Sequence, residues 1–377
     1  MTEDLGFVTW DRDFPTGGNV YNQNLLTELG ALGVKARVHR LPGSWPEGNA
    51  STHAQLARVL QKAPTSIVDG IVGCGAPDVI AAAVDSGHVI LILLHLPISD
   101  ELGLEPSRRE RYAALEARAI RAASGVLSTS RWSAEKFTRR FGRRDLGVAV
   151  PGVRPAAVAR GSQHTGGPRF LTLAALTPTK DQLTLVQALG EVADLSWTAA
   201  LVGSDQAAPH YAARVRADIA AAGLTERIAV LGMLTGDTLA REWDAADLLV
   251  LPSRTETYGL VVGEALARGI PAVVPAETGA VEALHQGETS HSSATPGTAV
   301  LSGAPASLAE LLRGWLTEPA LRHAWRQAAL ARRDTLPGWR QTAKAVLTYL
   351  ERVEHAPSTR TGSLPESPQT PPPAPPH

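Results

Sequence analysis

Short β-rich runs alternate with helical runs through almost the whole chain, and no other feature restricts the possible folds as strongly. This alternation is typical of a parallel sheet whose faces are covered by helices. In the first half it predicts strands at residues 6–9, 36–40, 66–72, 89–94, 125–129 and 147–150. The helices between them are predicted at residues 20–32, 52–62, 77–86, 107–123 and 133–140.

A second series of the same kind follows a segment rich in proline and glycine, residues 151–168. Its strands are predicted at residues 169–176, 198–202, 227–231, 247–251 and 270–274. Its helices are predicted from residue 182 and at 209–222, 258–269, 306–316, 319–332 and 339–353. Because 377 residues exceed what one hydrophobic core usually supports, we predict an α/β chain of two doubly wound Rossmann-like domains that face each other across a cleft.

The domain limits follow from these two series. We predict a first domain over residues 1–155, a linker over 156–168 and a second domain over 169–336. The last residues, 355–377, hold many prolines and almost no large apolar side chain, so we predict a disordered tail.

Composition narrows the class of protein. The net charge is −1, with 36 basic and 37 acidic residues, which gives no reason to expect a nucleic-acid partner. A single cysteine, Cys74, excludes an internal disulfide and a cysteine zinc site. The N-terminus lacks the features of a signal peptide, and the apolar run at residues 89–94 is too short to span a membrane. These observations favour a cytoplasmic protein, and the abundance of Ala, Arg and Gly with little Lys suggests a bacterial source.

Residues 252–275, PSRTETYGLVVGEALARGIPAVVP, place two carboxylates around the start of a predicted helix. This helix is predicted to begin near Tyr258 and to stop at Gly269. The free N–H groups of Tyr258, Gly259 and Leu260 would then face the cleft, where the positive end of the helix dipole favours a phosphate. Gly259 has no side chain, so a ligand can approach its backbone closely.

The spacing of Glu256 and Glu264, E-x7-E after PS and before EALARGIPAVV, resembles the signature of retaining glycosyltransferases with the GT-B fold, in glycosyltransferase family 4. Further similarity extends to about residue 353. The resemblance implies that Glu256 lies beside the donor sugar and that Glu264 binds the ribose hydroxyls, with Thr257 also among the residues that bind the nucleotide sugar. It also implies that the last helix, about 337–353, crosses back onto the first domain. The alternative makes both glutamates ordinary solvated carboxylates.

Two features of the first domain match the same family. Gly17 and Gly18 follow the first strand, where the family has a glycine-rich loop that contacts a phosphate or sugar, although a glycine pair is also a common turn. His95 follows the strand VILILL. A histidine at this place in the family contacts the donor sugar near the reacting carbon; the alternative is a histidine that caps a strand end.

Lys180 aligns with the lysine of the family motif G-R-L-x-x-x-K-G, where a cation stabilises the charge that develops on the departing diphosphate. A solvated lysine at a helix start is the alternative. The chain departs from the motif, because Ala174 and Ala175 replace Gly and Arg, and Asp181 replaces the final Gly. Either Arg254 supplies the missing charge, or phosphate binding is weaker.

Three further assignments follow strand ends in the two series. Gly203 matches a family glycine that leaves room for the nucleotide, and Leu231 with Gly232 occupies the loop near which the base would lie. Ser130 and Arg131 are candidates for contact with an acceptor or a phosphate, and solvent exposure is equally consistent with the sequence.

Residues 105–144 carry eleven Lys and Arg against four Asp and Glu. This excess of positive charge could hold the first domain at an anionic inner membrane face or to a lipid-linked acceptor. A solvated helix face is the favoured alternative, because the segment lacks a strong apolar stripe.

Taken with the resemblance, these residues predict a retaining hexosyltransferase. It would move a sugar from a nucleoside diphosphate sugar to an unidentified acceptor, with no cofactor and no obligatory metal. Asp11 and Asp13 form a D-x-D sequence, a metal-binding signature of the other major glycosyltransferase fold, but they lie too near the start of the chain to serve in that way. There are two alternatives. One is a sugar-nucleotide isomerase or hydrolase on the same fold, and the other is a non-catalytic partner that binds a nucleotide sugar or a glycan.

Overall fold

A computed structural model describes residues 5–11, 16–162, 166–289 and 294–355. The first half forms a parallel sheet of six strands in the order β2-β1-β3-β4-β5-β6. These strands are β1 Leu5–Trp10, β2 Ala36–Leu41, β3 Thr65–Asp69, β4 Val89–Leu94, β5 Gly125–Ser128 and β6 Gly147–Val148.

The second half forms another six-stranded parallel sheet, in the order β12-β11-β10-β7-β8-β9. These strands are β7 Arg169–Leu173, β8 Thr198–Val202, β9 Ile228–Gly232, β10 Leu248–Val250, β11 Ala272–Pro275 and β12 Gly297–Val300. The predicted fold class, α/β with two Rossmann-like domains, is confirmed.

Helices cover both faces of each sheet, as alternating strands and helices require. The first domain contains α1 Gly17–Ala31, α2 Ala50–Leu60, α3 Gly70–Gly75, α4 Pro77–Asp85, α5 Pro106–Ala122 and α6 Arg131–Phe141. The remaining helices are α7 Gln182–Glu191, α8 Pro209–Ala221, α9 Gly236–Ala245, α10 Leu260–Ala267, α11 Gly279–Leu284, α12 Pro305–Thr317, α13 Pro319–Arg332 and α14 Trp339–Glu354.

The chain order reverses once in each sheet, between β1 and β3 and between β7 and β10. In doubly wound sheets a crevice opens at the carboxyl ends of the strands on either side of such a reversal. The loops after these four strands are therefore the places where a ligand site is expected.

One predicted strand is too long. Residues 66–72 were expected to form a strand, but β3 ends at Asp69, whose Oδ1 accepts a hydrogen bond from Ile71 N at 3.1 Å. That cap starts α3, and Gly70 lets the helix approach β4, since a Cβ there would lie 3.0 Å from Leu93 O. Sequence reasoning also missed α9, α11 and β12.

The last helix, α14, packs against the first sheet. Tyr349 Oη accepts a hydrogen bond from Val126 N at 3.0 Å and donates to Asp145 O at 2.8 Å. Trp339, with other apolar side chains of α14, belongs to the cluster that covers this face of the sheet. The proposed limits of the domains and linker stay predictions, and the proline-rich tail from residue 356 and Asp13 lie outside the described residues.

No helix in the described ranges is both long enough and apolar enough to cross a membrane.

Candidate functional site

The two loops at the reversal point of the second sheet meet through an ion pair. Lys180, in the loop after β7, places its Nζ 2.6 Å from Oε1 of Glu256, in the loop after β10. Ser253 Oγ donates to the same oxygen at 2.7 Å. Glu256 is buried at 8% exposure, while about a quarter of the Lys180 side chain is exposed. The structure therefore brings two of the predicted catalytic residues together.

Asp181 accounts for one departure from the family motif. Its backbone lies in the left-handed region, with φ of 47°, which favours glycine but also admits aspartate. Its Oδ2 accepts from the Nε of Arg254 and from Thr184 Oγ1. Arg254 was one of two alternatives for the missing arginine charge, and in the structure it already has a carboxylate partner in Asp181. Contact between Arg254 and a phosphate stays a prediction.

The helix after Glu256 begins later than predicted. Gly259 takes φ of 83° and precedes the first residue of α10, Leu260, whereas the helix was expected from Tyr258. No hydrogen bond from the N–H of Tyr258, Gly259 or Leu260 to another described residue is present. Gly269 ends this segment with φ of 70°, as expected for a helix C-terminus. The free amides lie at the positive end of α10.

Glu264 lies one turn into α10 and is half-buried. Within the described part of the chain its carboxylate accepts no hydrogen bond, and Arg268 donates instead to the Glu264 carbonyl oxygen at 2.7 Å. Burial raises the pKa of Glu264, and the positive charge of Arg268 partly offsets this effect. A partly buried carboxylate without a donor can accept hydroxyl groups from a ligand.

Gly17 and Gly18 form the first turn of α1, which begins three residues before the predicted start at residue 20. A Cβ on Gly18 would lie 3.0 Å from His95 Cδ2, and one on Gly17 would lie 3.6 Å from Cδ1 of Leu260. The paired glycines therefore lie between the histidine of the first domain and the start of α10.

His95 is held by a polar chain that sequence reasoning missed. Its Nε2 lies 2.9 Å from Asn22 Oδ1, and Asn22 Nδ2 donates to Asp69 Oδ2 at 2.7 Å. Because a carboxylate only accepts, the Asn22 amide is oriented, and its oxygen requires a hydrogen on His95 Nε2. Burial lowers the pKa of His95, and Asp69 opposes this shift. The neutral ring therefore leaves Nδ1 as an acceptor.

The sequence gave only weak indications that Asn22 and Asp69 belong to the site. Asp69 follows an apolar run at a strand end, and Asn22 lies four residues after Gly18 in YNQN. Nothing in the sequence showed that the two side chains would meet.

Two other predicted site residues, Gly203 and Ser130, contact neighbouring loops of the protein. A Cβ on Gly203 would lie 1.9 Å from Ala174 O, so this glycine makes room for the neighbouring loop, and contact with a nucleotide stays a prediction. Ser130 Oγ donates to Thr257 O at 2.5 Å across the domain boundary, so its hydroxyl is already occupied. Leu231 is 36% exposed beside Gly232, which leaves an apolar surface near the expected base position.

A cavity of about 530 Å³ lies between the domains. Thr255, next to Glu256, lines it from the second domain. On the first domain Asp100 is paired with Lys136 at 2.9 Å and with Arg140 at 2.6 Å. The cavity adjoins the loop that holds Glu256.

Acidic side chains neutralise more than half of the positive charges in the basic segment 105–144. Six of its eleven cationic side chains form ion pairs in the described structure, namely Arg108, Arg111, Arg118, Lys136, Arg140 and Arg143. This arrangement supports the solvated-surface alternative over a membrane-binding face.

Residues 156–332 match the family described as "Glycosyl transferases group 1". The chain is also 31% identical over 193 residues to D-inositol 3-phosphate glycosyltransferase 1 of Catenulispora acidiphila, an alignment that covers 51% of this chain and 43% of that protein. It thus spans less than half the length of the inositol phosphate relative.

Two solved structures with a similar fold cover most of the chain. HepE of Anabaena, in complex with UDP and glucose, has a TM-score of 0.70 at 19% identity and covers 93% of this chain and 100% of its own. Sucrose-phosphate synthase from Thermosynechococcus elongatus has a TM-score of 0.73 at 18% identity, with 93% and 99% covered. At these identities the likeness shows the fold alone, the GT-B architecture. The family match supports a glycosyltransferase.

Proposed function

We propose that this protein is a retaining glycosyltransferase of family 4 that uses a nucleoside diphosphate sugar, without a metal or other cofactor. The observation that carries the proposal is the position of the Lys180–Glu256 ion pair, two residues before backbone amides that have no hydrogen-bond partner among the described residues, at the start of α10. A cation, a carboxylate and free N–H donors are the groups that a diphosphate and an adjoining sugar require.

The diphosphate lies on the amides of Tyr258, Gly259 and Leu260, and Lys180 contacts it from the opposite loop. Negative charge develops on the diphosphate as the glycosidic bond breaks, so fixed donors and a cation stabilise the transition state more than the ground state. Lys180 must therefore turn from Glu256 towards the phosphate when the donor binds. Glu256 is then free to accept hydroxyl groups of the sugar.

The polar groups near these loops suggest where the ribose and the sugar of the donor bind. Glu264 accepts the ribose hydroxyls, because its carboxylate has no donor among the described residues. His95 presents its neutral Nδ1 to the sugar ring, with the ring orientation held by Asn22 and Asp69. Closure of the domains excludes the water that would otherwise hydrolyse the donor.

Retention follows from attack on the face that the diphosphate leaves. The acceptor oxygen forms a bond to the anomeric carbon while the bond from that carbon to the phosphate oxygen breaks. The acceptor proton passes to the departing phosphate oxygen. The carboxylate of Glu256 accepts hydrogen bonds from Lys180 and Ser253. This arrangement favours a role in positioning the sugar over nucleophilic attack on it.

Two relatives suggest the first substrates to try. HepE binds UDP and glucose, so a UDP-sugar is the proposed donor. The inositol phosphate relative suggests a phosphorylated polyol as acceptor. The cavity between the domains would receive it near Glu256.

The test is to incubate the protein with UDP-sugars and a set of polyol, polyol phosphate and glycan acceptors, with and without EDTA. Product formation with the donor's anomeric configuration, read by proton NMR, supports the proposal, and EDTA should leave the rate unchanged. Inversion, or loss of activity with EDTA, would contradict the mechanism. Free or epimerised sugar with every acceptor would favour the isomerase or hydrolase alternative, and tight donor binding without turnover would favour the non-catalytic alternative.

A further inference from the structure

Two hydrogen bonds cross between the domains beside Lys180. Thr179 Oγ1 donates to Glu101 Oε2 at 2.6 Å and accepts from Leu102 N at 3.0 Å. Glu101 and Leu102 lie in the first domain, after the short 3-10 helix Ile98–Asp100. Thr179 is only 1% exposed, so little water competes for its hydroxyl.

The backbone of Thr179 holds the second loop of the site. Its carbonyl oxygen accepts a hydrogen bond from Arg254 N at 2.8 Å, and Arg254 precedes Glu256 by two residues. Lys180, the next residue in the chain, contacts Glu256. Thr179 therefore touches the first domain and both loops that contribute the ion pair.

A further bridge fixes the other side of the Glu256 loop. Ser130, at the start of α6, donates to Thr257 O at 2.5 Å. Thr257 directly follows Glu256, so the first domain contacts the site on both sides of the ion pair. This arrangement couples the position of the domains to the geometry of Lys180 and Glu256.

We infer that Thr179 and Glu101 are positioning residues whose interdomain hydrogen bonds form on closure and place Lys180 and Glu256 for transfer. The inference rests on the proposed function, because it assigns these residues a role in that reaction. When the domains part, Thr179 loses Glu101 and Leu102, and the loop that carries Lys180 loses its support. Bond breaking is then confined to the closed state, from which water is excluded.

The test compares Thr179→Val with Thr179→Ser and with a matched control, Thr172→Val. Thr172 is also 1% exposed, and its Oγ1 donates to Val250 O at 2.8 Å within the second domain. We expect Thr179→Val to lower kcat roughly five- to twentyfold more than Thr172→Val, which corresponds to one or two lost net hydrogen bonds. Thr179→Ser keeps the hydroxyl and should retain a kcat near that of the wild type.

Hydrogen exchange gives a readout that does not depend on activity. The Leu102 amide should exchange faster in Thr179→Val than in the wild type, and at the wild-type rate in Thr172→Val. A second variant, Glu101→Ala, leaves the second domain unaltered and should also lower kcat, by a smaller factor because the Leu102 bond remains. This variant keeps the test decisive if Thr179→Val does not fold.

Equal kcat values for Thr179→Val and Thr172→Val, or a wild-type kcat in Glu101→Ala, would overturn the positioning role. Unchanged Leu102 exchange in Thr179→Val would overturn the contact itself. If the wild type turns over no nucleotide sugar, the proposed function fails, and the exchange comparison still decides whether the interdomain contact exists.

Discussion

The two glutamates of the E-x7-E spacing differ in their surroundings. Glu256 is buried and accepts hydrogen bonds from Lys180 and Ser253, whereas Glu264 has no donor among the described residues. Glu256 thus has partners that fix its position in the loop after β10, whereas Glu264 has none among the described residues and is proposed to contact a ligand. Their substitutions should separate turnover from binding.

We predict that Glu264→Ala raises the Kd of the UDP-sugar by about 10- to 100-fold, because hydrogen bonds to a charged group contribute about 1.5–3 kcal/mol. Titration calorimetry measures this change. Glu310→Ala, at an exposed site on α12, is the control and should bind as the wild type does. Wild-type affinity in Glu264→Ala would remove the assignment to the ribose.

Glu256→Gln should lower kcat by about 10- to 100-fold, with a smaller change in donor Kd, since its carboxylate orients the reacting sugar and partners Lys180. Single-turnover kinetics with saturating donor separate the two effects. A variant with weaker donor binding and an unaltered rate would reverse the roles of the two glutamates.

His95 gives a prediction for pH. Because its pKa is lowered from 6.5 in the folded protein, the unfolded chain binds a proton more readily. Titration of His95 should therefore leave the free energy of unfolding unchanged above the pKa of the unfolded chain. As pH falls below 6.5, it should lower the free energy of unfolding. An NMR titration should give a midpoint below 6.5, and Asp69→Asn should lower it further, because Asp69 opposes the shift. A midpoint above 6.5 would contradict this account.

At the scale of helices and strands, alternation and strand-end positions were enough to predict the parallel sheets and the loops that hold Lys180 and Glu256. Local boundaries were less accessible. The start of α10 depends on the left-handed backbone of Gly259, and the end of β3 depends on the cap that Asp69 supplies to α3. To predict either boundary, one must know which backbone groups lack hydrogen-bond partners. Hydrophobic periodicity does not give this information.

Contacts between segments distant in sequence were the least predictable. Asp69 reaches His95 through Asn22, and Thr179 reaches Glu101, only because the folded sheets bring their loops together. The sequence indicated His95 through a family resemblance, but it gave no sign of the side chains that orient it. Such partners depend on the packing of whole domains.

The conformation at the start of α10 can be tested directly. Gly259→Ala should reduce the free energy of unfolding by about 1–2 kcal/mol, because a side chain disfavours positive φ. It should also weaken UDP binding, since the neighbouring amides would shift. Gly190→Ala, within α7 and with open space around it, should leave stability equal or slightly higher. Equal melting temperatures for both variants would contradict the role of Gly259, and calorimetry with UDP measures the binding.

At the scale of the molecule, two α/β domains meet across a boundary where both contribute to one site. The hydrogen bonds between the first domain and Thr179 and Thr257 are the basis of the proposed coupling between closure and transfer. The last helix crosses back to the first sheet through Tyr349, which connects the end of the described chain to β5 and the segment before β6.

The ion pairs that cations of residues 105–144 form with acidic side chains lead to a prediction for the surface of the first domain. Cosedimentation with vesicles that contain phosphatidylserine should be weak at physiological salt and little above that with neutral vesicles, because six cations already have acidic partners. Strong binding that salt removes, and that is lost in Arg121→Ala with Arg144→Ala, would contradict this and restore the membrane-contact alternative.

The position of a bound diphosphate tests the proposed site most directly. A crystal structure with UDP or an unreactive UDP-sugar should show phosphate oxygens about 2.7–3.2 Å from the backbone nitrogens of Tyr258, Gly259 or Leu260, with Lys180 turned towards them. A diphosphate bound elsewhere, or these amides covered by protein groups while the nucleotide is present, would contradict the proposed site.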